Sequence, residues 1–220
     1  MAEPLVKAMS IPGEQATLEE RNLLSVGFKQ LVTRRCSALA TLHRQADEER
    51  EHGDEKKLEM VLQYMDKTRA EVRHFCNMLL DLLTNFMIPK ATAAEETVFL
   101  LKMRGDYNRH IAVSSAEGEC KAVATQAALV AYEEAQNVAE KRLKVTNPVR
   151  LGLALNFAAF QNEVLENERQ ARAVASRAFN EAIAELDSLE GDDEYKDATL
   201  VMQLLRDFFA GRLWDAEDDA

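Results

Sequence analysis

The stretch Asn147-Pro148-Val149-Arg150-Leu151-Gly152-Leu153-Ala154-Leu155-Asn156-Phe157-Ala158-Ala159-Phe160 decides the fold. It opens as a helix does, with an Asn able to cap the first amides and a Pro at the first helical position. Apolar residues then occupy nearly every side, which places this helix in the middle of a larger helical body. Asn156 breaks the run. A buried amide without partners costs about 1–3 kcal/mol, so two readings stand: the fold satisfies Asn156, or a ligand does.

The rest of the chain reads as helices around this one. Thr17 and Glu20 have capping-box spacing and open a helix to about Arg50, with Leu24, Phe28, Leu31, Leu39 and Leu42 on its apolar stripe. Gly53 breaks it, and a second helix runs from about Glu55 to Met87, ended by Pro89. Further helices are expected at about 92–115 and 119–144, separated by Gly118. The opening stretch carries on to about Glu166. Two more follow, over about 168–189 and 194–213, on either side of the acidic loop Glu190-Gly191-Asp192-Asp193. Residues 1–16, with Pro4 and Pro12-Gly13, leave room for one short helix only, and residues 214–220 form an acidic tail. Eight Gly and four Pro in 220 residues suit long helices, and no sustained alternation marks a strand. The expectation is an all-α single domain of antiparallel helices over residues 17–213.

Charge and cysteine usage narrow the function. A net charge of −11 repels phosphate backbones and acidic lipid at long range, so nucleic acid and membrane surfaces are poor partners. Any anionic ligand must sit on a local basic patch. No apolar run reaches the ~18–20 residues that span a bilayer. Cys36, Cys76 and Cys120 make an odd count without a disulfide framework. No leader peptide is read, so the expected setting is a reducing one, cytoplasmic with nuclear access. His74 and Cys76 face different ways on their helix, and His43, His52 and His110 form no ligand-spaced set. With no nucleophile–base pair and no phosphate loop, neither an enzyme nor a cofactor is expected.

Several blocks carry a more specific signal. Arg150 to Phe157, Tyr195-Lys196-Asp197, and Met202 to Asp207 resemble the 14-3-3 family of phosphopeptide-binding proteins. Glu20 to Val26, Leu101-Lys102-Met103 and Gly105-Asp106-Tyr107 do so too. The resemblance runs from about residue 18 to the C-terminus. It implies a concave groove and an adaptor that binds phosphoserine or phosphothreonine in client proteins.

Residue by residue, the resemblance assigns Lys29 and Arg109 to the phosphate. His110 stands where the family has a Tyr hydroxyl beside that Arg, and an imidazole there can also donate. Lys102 and Arg109 are seven apart on one helix face, with Asp106 between them and placed to orient the guanidinium; by residue pattern alone such a pair is usually solvated surface. The family's second phosphate Arg is replaced by Cys36. Arg34 and Arg35 lie about 120–140° round a regular helix from Lys29, so Arg35 would reach the phosphate only through a local irregularity.

Asn156 is assigned to the peptide main chain and Glu163 to its support. Leu155, Ala159, Leu200 and Leu204 resemble the groove wall, which Phe208 extends in place of a second backbone-binding Asn. Two lost charge-assisted contacts weaken a phosphopeptide about a hundredfold or more. A groove reader indifferent to phosphate, or one occupied by its own acidic tail, is the competing expectation. A thiol at Cys36 near Lys29, Arg109 and His110 would have a lowered pKa, against the plainer reading of a small inert side chain. Cys76 and Cys120 read as structural. Tyr64, Lys67 and Glu71 match one side of the family's dimer contact, while the donating first helix is largely absent. Because a two-fold interface needs both halves on each subunit, a monomer or a weak dimer is expected.

Overall fold

A computed structural model of the chain describes Val6, residues 17–188 and residues 191–211. Apart from Val6, the expected short helix within 1–16 lies outside the described residues, as do the acidic tail 214–220, Leu189 and Glu190. The described residues are all-α, with seven α-helices and no strand: α1 (Leu18–His52), α2 (Glu55–Leu82), α3 (Ala94–Ser114), α4 (Glu119–Arg142), α5 (Pro148–Glu163), α6 (Glu168–Ala184) and α7 (Asp192–Phe209). They fall into two compact units, residues 1–90 with 107–126, and residues 91–106 with 127–220.

In the first unit α1 starts at the expected capping box. Thr17 Oγ1 accepts the Glu20 N–H at 3.2 Å, while the Glu20 carboxylate accepts the Thr17 N–H at 2.8 Å. Gly53 ends α1 in the left-handed region at φ 73°, a conformation that glycine adopts without strain. The chain then turns straight into α2, where the Asp54 side chain accepts the Lys57 amide. Contacts between the two helices run Glu49–Lys57, His43–Arg69 and Arg35–Glu71, numbers falling on one as they rise on the other, so the pair is antiparallel. Leu24, Phe28, Val32 and Leu39 of α1, with Val72, Cys76 and Leu79 of α2, are buried. Leu31 is only half-buried; Val32 takes the central place on the stripe. The α2 helix gives way at Leu82 to a π turn (Leu83–Met87) and a 3-10 turn (Ile88–Lys90), earlier than the expected end at Met87. Pro89 has no N–H with which to continue the ladder.

In the second unit α5 is packed as its sequence requires. Every residue from Pro148 to Asn162 is buried or half-buried, and Glu163 alone is exposed. Asn147 Oδ1 accepts the Val149 and Arg150 amides at 3.0 and 3.2 Å. Tyr132 of α4 stacks on Phe157 of α5 and packs at a tilt against Phe160, with ring centroids 5.5 and 5.4 Å apart. A Cβ at Gly105 would lie 2.7 Å from the Tyr132 ring, so only glycine lets α3 approach that ring so closely.

In the second unit further helix ends differ from expectation, among them the end of α7 at Phe209 rather than about 213. α5 stops at Glu163 rather than Glu166, because Glu166 turns to φ 52° and feeds Asn167, which caps α6 through the Gln170 N–H. α6 stops at Ala184 rather than about Leu189: Glu185 leaves the helical region, and a 3-10 turn follows over Leu186–Ser188. α7 begins at Asp192 rather than Glu194, so Asp193 and Glu194 fall in its first turn, where the helix dipole favours negative charge.

Candidate functional site

Asp106, near the middle of α3, gathers side chains from three helices of the second unit. Its Oδ2 accepts the Lys102 ammonium at 2.8 Å, one turn earlier on the same helix. Its Oδ1 accepts the Tyr132 hydroxyl of α4 at 2.7 Å and the Asn156 Nδ2 of α5 at 2.8 Å. Asp106 is buried and Lys102 nearly so. A buried carboxylate is tolerated only when ionic and hydrogen-bonding partners replace water, and Lys102, Tyr132 and Asn156 do so here.

The question raised by Asn156 is thereby answered: the fold satisfies its amide on one side. Half-buried, it also keeps an acceptor, since Oδ1 receives no hydrogen bond among the described residues. Lys102, a secondary phosphate candidate, is already ion-paired to Asp106.

The first unit carries the remaining cationic candidates. Lys29 is exposed on α1, and Cys36, two turns later on the same face, is half-buried. Arg35 is directed to α2. Its Nε donates to Glu71 Oε2 at 2.9 Å, its Nη1 to the Leu31 carbonyl at 2.9 Å, and its guanidinium lies 4.4 Å from the Phe75 ring centroid. α1 runs as α-helix without interruption through this point, so the irregularity that would swing Arg35 toward Lys29 is not found. Arg109 and His110, in the last turns of α3, are half-buried, and the His110 ring meets Tyr107 edge to face at 5.8 Å. Glu71, expected on a dimer surface, is engaged by Arg35, while Tyr64 and Lys67 are exposed.

Of the expected apolar wall, Leu155 and Ala159 are half-buried on α5. Leu200 and Leu204 on α7 are open, 61% and 41% exposed. Phe208 does not extend that wall, being 4% exposed. The reason is register: Ala198, Met202 and Leu205 form the buried stripe of α7, and Phe208 continues it one further step of three.

Two features have little trace in the sequence. The only local signal of Tyr132 is a lone ring in an alanine-rich helix, which asks for a small residue opposite. Cys120, read as structural, is exposed. Its Sγ lies 3.6 Å from Ser115 Oγ and 3.7 Å from Arg73 Nη1, and these donors, Ser115 first, hold its thiol below the usual range. Burial pushes the Cys76 thiol up, and the neighbouring Cys36 adds to that. No disulfide joins the three cysteines. Among the described residues no cluster of three metal-ligating side chains occurs, and no helix is long and apolar enough to cross a membrane.

Comparison with known proteins agrees with the resemblance read from the motifs. The family model for 14-3-3 protein matches residues 1–214. The chain is 44% identical to 14-3-3 protein beta/alpha-1 of Oncorhynchus mykiss, an alignment covering 97% of this chain and 85% of that protein. It is 42% identical to the Homo sapiens 14-3-3 protein beta/alpha, over 97% of this chain and 84% of the relative. A 14-3-3-like protein of Solanum tuberosum is 40% identical over 100% of this chain and 85% of its own length. The chain belongs to the 14-3-3 family.

Proposed function

We propose that the chain is a phosphoserine/phosphothreonine-peptide-binding adaptor whose phosphate pocket is partly altered and weaker than the family pattern. The coarse part follows from membership: 14-3-3 proteins are non-enzymatic adaptors for phosphorylated clients, and this chain is not an enzyme. What supports the finer part is Cys36, standing where the resemblance calls for a second Arg, while Lys29, Arg109 and Asn156 keep the positions it assigns to ligand.

In this reading Lys29, Arg109 and His110 hold the phosphate. Asn156, with Glu163 in support, holds the peptide main chain, and Leu155, Ala159, Leu200 and Leu204 receive its flanking side chains. Cys36 replaces a second arginine, and Arg35 is engaged with Glu71, so the phosphate has one guanidinium fewer to meet. The chain acts as a monomer, or at most a weak dimer, with Tyr64 and Lys67 as remnants of the dimer face. Its setting is cytoplasmic, with access to the nucleus. The net charge of −11 argues against nucleic acid as a partner.

Lys29→Ala and Arg109→Ala test the assignment. Each is expected to weaken a phosphopeptide about tenfold or more, the value of one charge-assisted hydrogen bond. Binding of the unphosphorylated peptide should not change. Undiminished phosphopeptide binding in both variants would contradict the assignment.

A further inference from the structure

We infer that Asp106 is a positioning residue: it fixes which end of the Asn156 amide meets a bound peptide, and so makes this position select a main-chain N–H donor. The inference deepens the proposed function and rests on Asn156 meeting the peptide main chain.

A carboxylate offers acceptors only, whereas an amide has an acceptor end and a donor end. At 2.8 Å from Asp106 Oδ1, the Asn156 amide can present only its NH₂. The flipped amide would set two lone-pair oxygens against each other at that distance. The NH₂ is therefore turned toward Asp106, and the Oδ1 acceptor is turned away from it toward a ligand donor.

Orientation is useful only if the carboxylate is itself held, and it is held from two further directions. Lys102 grips Oδ2 at 2.8 Å, and the buried Tyr132 hydroxyl shares Oδ1 at 2.7 Å. Tyr132 in turn is wedged over Gly105 and stacked on Phe157, the residue next to Asn156. Carboxylate, phenol and amide thus form one interlocked set, and rotating any of them breaks a hydrogen bond in a buried place. Without Asp106 the amide would populate both flips. One of them would point NH₂ at the ligand N–H, donor against donor.

The chemistry that distinguishes the two cases is a single N–H. The full-length protein is titrated with a fluorescent phosphopeptide and with depsipeptide analogues, each replacing one main-chain N–H beside the phosphoresidue by an ester oxygen. In the wild type one ester position is expected to cost about tenfold in Kd, the value of one hydrogen bond to a ligand. Asp106→Leu, which removes every acceptor, should bind the parent peptide about twofold more weakly, the cost of selecting one of two flips, and show a smaller ester penalty because the flipped NH₂ can donate to the ester oxygen. Asp106→Asn keeps one acceptor and should retain the wild-type penalty. Because Asp106 acts through Asn156, the double variant Asp106→Leu/Asn156→Ala should bind no more weakly than Asn156→Ala alone.

An ester penalty unchanged in Asp106→Leu, or losses that multiply in the double variant, overturns the inference. If Asp106→Leu does not fold, the Asn156 side-chain NH₂ resonances of the unliganded wild type decide. One proton is expected to exchange slowly and to lie well apart from its twin. Signals like those of a solvated Asn reject the inference. That measurement also stands if the wild type binds no phosphopeptide, an outcome that would overturn the proposed function and not the geometry.

Discussion

Asn156 and Asp106 are 50 residues apart in sequence, yet their side chains meet at 2.8 Å, amide donor to carboxylate acceptor. The contact ties α5 to α3 within the second unit, and Tyr132 ties in α4. Removing the phenol hydroxyl takes one of the buried donors from Asp106. Tyr132→Phe is therefore expected to destabilise the fold by about 1–2 kcal/mol, read from chemical unfolding, without displacing the ring from Phe157. No loss of stability would show that the hydroxyl is dispensable to the hub.

Gly105→Ala attacks the same hub by sterics. The new methyl would lie 2.7 Å from Tyr132 Cε1, and the ring cannot retreat because Phe157 and Phe160 pack against it. A cost of about 1–3 kcal/mol is expected. Combined with Tyr132→Phe the losses should be less than additive, since the displaced ring already surrenders its hydroxyl contact. Strict additivity in unfolding free energies would contradict this geometry.

How much of this was legible in the sequence depends on the span of each interaction. The capping box of Thr17 and Glu20 and the Asn147-Pro148 helix start are complete within three residues, and both were found where expected. Apolar spacing carries α6 past its end, because Leu186 and Leu189 continue it; only the backbone of Glu185, which no periodicity encodes, stops it. For Phe208 the ambiguity is one of register. Four residues after Leu204, it could be assigned to the open face or, three after Leu205, to the core, and packing chose the core. Asp106 was seen as a neighbour of Arg109, three residues away, but its links to Tyr132 and Asn156 cross 26 and 50 residues and have no local trace. Arg35 shows the same limit: its helical angle was calculable, and its partner Glu71 was not.

The arginine question has a direct test. Because Arg35 serves Glu71 and Phe75, Arg35→Ala should leave phosphopeptide affinity within about twofold and cost about 1 kcal/mol of stability, as expected for a partly exposed pair beside an aromatic ring. Cys36→Arg restores the residue that the resemblance calls for and should tighten phosphopeptide binding about tenfold or more. If Arg35→Ala weakens binding while Cys36→Arg does nothing, Arg35 has taken over the role here withheld from it.

Cys120 should be the most reactive thiol. Hydrogen bonds from Ser115 and then Arg73 favour its thiolate, so its pKa is lowered and its alkylation rate should reach half its plateau at a lower pH than that of an ordinary cysteine. The sign follows: at neutral pH the lowered pKa leaves more thiolate, hence a faster reaction. Ser115→Ala should move the midpoint upward more than Arg73→Ala does. Cys76, buried and pushed upward, should stay unlabelled in the folded protein. Iodoacetamide labelling followed by peptide mass mapping checks both, and faster labelling at Cys76 than at Cys120 would reject this ordering.

Phosphate dependence of peptide binding is the property on which the functional account stands. The decisive measurement is an anisotropy titration of the wild-type protein with one peptide in phosphorylated and unphosphorylated forms, at fixed ionic strength. Lys29 and Arg109 should favour the phosphorylated form by at least about tenfold, with the difference shrinking as salt is raised. Equal affinity for the two forms would contradict the account, leaving an adaptor that reads apolar side chains through Leu200 and Leu204 and is indifferent to phosphate.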